Sequence, residues 1–73
     1  MAHDSISDRI IKALEAMPAQ LQSAARYVLE NPRDVALLSM REQARRAGLQ
    51  PATMTRFAKR LGLAGYEEVR ALH

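Results

Sequence analysis

No cysteine occurs among the 73 residues, aromatic side chains number only three, and no apolar run exceeds the four residues Val35-Ala36-Leu37-Leu38. Each absence excludes a class. Small secreted domains usually rely on disulfides, so a cysteine-free chain of this size points to a reducing cytoplasm. A membrane helix needs about 20 apolar residues, and the polar, partly acidic start from Met1 to Asp8 is no signal peptide. The two histidines, His3 and His73, stand at opposite ends. Without cysteine or a carboxylate cluster at ligand spacing, they offer no metal site, no cofactor site and no catalytic constellation. The three glycines, Gly48, Gly62 and Gly65, are too dispersed for a phosphate-binding loop and mark helix ends instead.

What remains is enough to fold. Hydrophobic residues make up 48% of the chain, too many for a disordered tail, while the length limits it to one compact domain without a two-lobed catalytic cleft. The formal net charge is +3, but its distribution is uneven. Between Arg41 and Arg60 lie six basic residues and one acid, a surplus of +5; the remainder holds five bases and seven acids, or −2. A basic segment on a slightly acidic body suits a nucleic-acid partner, because phosphate attraction depends on local charge density. A solvated helix face carries similar charge, so further signals are required.

Capping residues divide the chain into helices. Ser5, with Asp8 three residues later, opens the first, along which Ile6, Ile10, Leu14 and Met17 recur at helical spacing. Pro18 is preorganised as the first residue of a second helix carrying Leu21, Ala24, Ala25, Val28 and Leu29 on one face. Asn31-Pro32 ends it and starts a short third one through Val35 and Leu38, with Asn31 as N-cap. Ser39-Met40-Arg41-Glu42 is a capping box in which each end residue can satisfy the other's backbone N–H. The fourth helix it opens runs to Ala47, where Gly48 supplies a left-handed residue, and Gln50-Pro51 opens a fifth. That helix places Met54, Phe57, Ala58 and Leu61 on one face and stops at Gly62. A sixth follows Gly65, with Tyr66, Val69 and Leu72 inward. No alternating strand pattern, no internal repeat and no low-complexity segment occurs, so the expected fold is all-α, a bundle of five to six helices.

Ser39 to Leu61 reads as a helix-turn-helix, a motif that needs a tight glycine-containing turn. Ala44 keeps the crossing close, Gly48 makes the bend, and Leu49, Met54 and Phe57 fill the wedge beneath. At about 100° per residue, Ala52, Arg56, Lys59 and Arg60 point away from the apolar face, flanked by Thr53 and Thr55. A helix so built suits the major groove. Ala52 and the threonines admit its N-terminus, and Arg56 is placed for a bidentate bond to guanine. Lys59 and Arg60 are expected on phosphate, as are Ser39, Arg41, Arg45 and Arg46 on the opposite backbone.

These residues resemble a known family. Ala24 to Pro32, Leu38 to Glu42, and above all Pro51 to Gly62 followed by Gly65-Tyr66 look like the N-terminal domain of RpiR-type bacterial transcription regulators. The resemblance implies a homeodomain-like helix-turn-helix that binds double-stranded operator DNA in sugar metabolism. It also implies a C-terminal SIS domain that senses a phosphorylated sugar and helps the regulator oligomerise. One departure is Gln50, where the family often has Ser or Asp; Gln is a poorer cap, but its amide suits adenine. The other is the missing SIS domain, which makes residues 1–73 read as a cut-out DNA-binding domain ending within a helical pattern. A homodimer pairing through the first two helices is expected, because six short helices leave one of those apolar faces hard to cover. The competing reading is a small helical protein-interaction module whose basic face meets an acidic partner.

Overall fold

A computed structural model describes residues 5–73, and helices dominate them: α1 (Ile6–Leu14), α2 (Ala19–Glu30), α3 (Pro32–Leu37), α4 (Met40–Ala47), α5 (Pro51–Arg60) and α6 (Tyr66–Ala71). Among the described residues there is no strand. The core is one cluster drawn from every helix. Ile10, Ala24, Ala25, Val28, Val35, Met54, Phe57, Ala58 and Val69 are wholly buried, and Ala44 and Tyr66 nearly so. α5 sits at the centre, packed by α2, α4 and α6, while α1 lies along α2. Alanines at buried positions of α2, α4 and α5 allow helix axes to approach closely, which suits so short a chain. Phe57 and Tyr66, with ring centroids 6.5 Å apart and planes tilted by 51°, join α5 to α6.

The caps explain where the helices begin and end. Ser5 Oγ accepts the Asp8 N–H at 3.1 Å, and Ser39 Oγ accepts the Glu42 N–H at 3.2 Å. Gly48 (φ 72°) and Gly62 (φ 85°) are the positive-φ residues of the described chain. Each closes the same double turn. Gly48 N–H reaches the Arg45 carbonyl and Leu49 N–H the Ala44 carbonyl; Gly62 N–H reaches Lys59 and Leu63 N–H reaches Ala58. These are Schellman motifs, and both are written by one pattern, Ala44-Arg-Arg-Ala-Gly48-Leu49 and Ala58-Lys-Arg-Leu-Gly62-Leu63.

Four local expectations are corrected. Pro18 is the N-cap of α2, one residue earlier than its first helical position. Asn31 precedes α3 but makes no N-cap bond; its Nδ2 donates back to the Tyr27 carbonyl at 3.0 Å, closing α2 instead. Leu72 lies beyond α6 and is 53% exposed, because the helix ends at Ala71. The core-facing sides of the first two helices are covered within the domain, and Ile11 of α1 is the large apolar residue that they leave exposed. Ile6, Ile10, Leu21, Ala24, Ala25, Tyr27 and Val28 are all buried within the domain, and the exposed large apolar residues are Ile11, Leu37 and Leu72. The reason is that α5 and α4 cover α2 from one side while α1 and α3 cover it from others.

Candidate nucleic-acid interface

α4, the turn at Gly48-Leu49-Gln50, and α5 form the helix-turn-helix expected from the sequence. Its two helices are anchored differently. α5 is held by apolar contact, with Met54, Phe57 and Ala58 at 0% exposure. α4 is held by a buried amide: Gln43 Nε2 donates to the carbonyls of Val35 (3.2 Å) and Leu38 (2.8 Å), and its Oε1 accepts the Tyr66 hydroxyl at 2.5 Å. This bond set ties α4 to the end of α3 and to α6, and it satisfies a fully buried polar side chain. Burial also pushes the Tyr66 phenol well above its ordinary range, so it stays a neutral donor. Sequence reading missed Gln43. Its position four residues before Ala47 and three after Met40, both half-buried, is the signal that could have placed it inward.

α5 is braced at its far end. Arg9 of α1 donates to the Leu61 carbonyl at 2.8 Å, one of the last carbonyls that the helix itself leaves unpaired. Arg60 donates to the Ala16 carbonyl at 2.6 Å in the α1–α2 turn. Both bonds were invisible in the sequence, since they join positions 52 and 44 residues apart.

The candidate residues separate into three groups. Ala52, Arg56 and Lys59 are exposed along one side of α5, and Gln50 is exposed at its start. The side chains of Gln50, Arg56 and Lys59, and of exposed Arg41 at the start of α4, have no hydrogen-bond or ion-pair partner among the described residues. Gln50 makes no cap bond, and Pro51 at the first helical position has no N–H to satisfy. This end of α5 is therefore bare of side-chain caps.

A second group is exposed but engaged. Arg45 grips Glu42 bidentately, Nε to Oε1 at 3.0 Å and a terminal nitrogen to Oε2 at 2.5 Å; Arg46 Nε also reaches Oε2 at 3.0 Å. Arg46 further approaches Asp34 at 3.6 Å, and Asp34 accepts the Tyr27 hydroxyl at 3.3 Å. Hydrogen bonds from Arg45 and Arg46 hold the Glu42 carboxyl down at about 2, well below its ordinary value. Burial, reinforced by Asp34, raises the Tyr27 phenol. The capping box is thus half made. Ser39 caps the helix, whereas the Glu42 carboxylate turns to the arginines because a charged pair of donors outcompetes one backbone N–H. Arg45, Arg46 and Arg60, expected on phosphate, are thus exposed and at the same time bonded within the domain.

The third group faces inward. Thr53 is 2% exposed, and Thr55 is half-buried with its hydroxyl donating to the Pro51 carbonyl at 3.4 Å and lying 3.8 Å from Met40 Sδ. Thr53 stands four residues before Phe57 and so shares its buried face; neither threonine belongs to the exposed side of α5. His3 lies outside the described residues, and His73 Nδ1 sits 2.9 Å from the Val69 carbonyl. Among the described residues no group of three or more His, Cys, Asp or Glu could hold a metal, and no helix is long and apolar enough to cross a membrane.

Comparison with known proteins agrees with this geometry. No curated protein sequence matches the chain. A family model described as the helix-turn-helix domain of the rpiR family matches residues 5–72, from the Ser5 cap through the end of α6. With all six helices and both glycine-closed turns inside that match, the chain belongs to the rpiR family of helix-turn-helix domains, a family of DNA-binding transcription regulation.

Proposed function

We propose that this domain binds double-stranded operator DNA sequence-specifically, with α5 in the major groove. The observation that carries the reading is the one-sided exposure of α5: Gln50, Ala52, Arg56 and Lys59 face solvent while the opposite face is wholly buried. A rigid helix with unengaged polar side chains on its outer side meets base edges without first breaking internal bonds. In this reading Arg56 bonds guanine, the Gln50 amide bonds adenine at the N-terminal end, and Ala52 leaves room for close approach. Lys59 and Arg41 contact phosphate on either side of the groove. Ser39 can donate its hydroxyl hydrogen to phosphate while its oxygen caps α4. Two such domains on a palindrome would place half-sites about 34–36 Å apart or a multiple of that. Control of sugar metabolism by a sugar phosphate, acting through a C-terminal domain, rests on the family resemblance alone.

The test is selection of bound sequences from random duplex DNA, followed by titration of variants. Arg56→Ala is expected to cost about 1–3 kcal/mol on the selected duplex and to relax preference at one position, whereas Lys59→Ala weakens all sequences alike. Equal losses on selected and mixed-sequence DNA for both variants overturn the assigned roles. A wild-type domain that shows no retention on duplex DNA at low salt overturns the reading itself.

A further inference from the structure

The basic surplus of residues 41–60 is divided by a single acid. Glu42 is the one carboxylate in that stretch, and its two oxygens hold three hydrogen bonds from two consecutive arginines. The Arg45 contact is the planar, two-bonded arrangement that a guanidinium also makes with phosphate. Arg45 and Arg46 are both exposed, so DNA phosphate could reach them, but only in competition with an intramolecular carboxylate already in place. No comparable acid engages Arg56 or Lys59 among the described residues. The cations at the C-terminal end of α4 are held by a carboxylate, and Arg56 and Lys59 on the outer side of α5 are not.

We propose that Glu42 is a specificity-determining residue: by holding Arg45 and Arg46 it suppresses sequence-independent phosphate binding through α4, so that discrimination rests on α5. The inference builds on DNA binding as the function of the domain. Phosphate contacts raise affinity for any sequence and carry no sequence information. Two arginines released at the motif would therefore strengthen the wrong complexes more than the right one, because a mixed-sequence complex can settle in whatever register gains the most phosphate contacts while base contacts fix the register of the right one. A carboxylate at this place keeps the motif basic enough to attract DNA while limiting how many phosphates it neutralises.

The experiment compares wild type with Glu42→Gln on a mixed-sequence duplex and on the duplex that wild type selects from a random pool, over 50 to 200 mM salt. Glutamine keeps the shape of the side chain and is itself accepted at this position of a cap, so α4 is retained; thermal melting of each variant checks the fold. Each freed arginine that takes a phosphate steepens the log–log salt slope by about 0.9. Glu42→Gln is expected to bind the mixed duplex more tightly, with a slope steeper by about 0.9–1.8 and an advantage that shrinks roughly 3–12-fold between the two salt limits. Its ratio of selected to mixed affinity falls. Because the substitution also adds one unit of positive charge, it is repeated in an Arg45→Gln, Arg46→Gln background, where the change in slope is expected to vanish. An unchanged slope and ratio, or a change that persists in that background, overturns the inference. Wild type failing to bind either duplex would instead overturn the functional reading beneath it.

Discussion

α4 and α5 end in the same way and begin in opposite ways. Both close on a glycine in the left-handed region with a basic pair in the last turn, where cations complement the helix dipole. At its N-terminus α4 has a serine whose oxygen caps the helix, whereas α5 has Gln50, which caps nothing. The helix that serves as a strut is finished at both ends. The helix that meets DNA in the proposed reading keeps its leading end open and leaves Arg56 and Lys59 on its outer side without partners among the described residues. The anchoring differs as well: α5 is fixed by apolar burial, which is tolerant of rotation only until close packing is complete, and α4 by a directional amide network through Gln43.

The largest test of this contrast is Phe57→Ala. Deleting a wholly buried phenylalanine at the meeting point of α5 and α6 is expected to lower stability by about 3–5 kcal/mol, and denaturant unfolding measures it. A loss below about 1 kcal/mol would mean that α5 is not the centre of the core. The amide network gives the next effect. Gln43→Ala strands the Tyr66 hydroxyl and the Val35 and Leu38 carbonyls, at an expected cost of about 1–3 kcal/mol, and Tyr66→Phe in the same background should cost little further because the two share one bond. Additive losses would break the claim that they act as a unit. The smallest effect concerns the open end of α5. Gln50→Ser is expected to raise stability by about 1 kcal/mol by supplying the missing cap, while weakening preference for the selected duplex through loss of the amide. A gain in stability without loss of preference would leave Gln50 a poor cap with no role in reading DNA.

Particular residues show why some of this was legible in sequence and some was not. Ser5, Ser39, Gly48 and Gly62 act through neighbours within five residues, so their roles follow from spacing alone. Ile10, Met54, Phe57 and Val69 announce their burial by being apolar on a helical period. Thr53 and Gln43 keep that period but carry polar atoms, and residue type misdirected the reading where position would have served. The partners of Arg9 and Arg60, and the Asp34 partner of Arg46, are a different matter. Each of these guanidiniums could reach several acceptors or none, and the choice depends on which helix end or carboxylate the fold brings near.

By itself the sequence determined the helices, their ends, the glycine-bent motif and the family to which the chain belongs, because those features arise from short-range backbone chemistry and hydrophobic period. Only the tertiary structure decided which charges are available. The α1–α2 turn supplies Ala16 for Arg60 and α3 supplies Asp34 for Arg46, whereas the Glu42 pairs with Arg45 and Arg46 lie three and four residues apart on α4 and follow helical spacing. A net charge is a property of composition; a free charge is a property of geometry, since an ion pair forms only where the folded chain places donor and acceptor within reach.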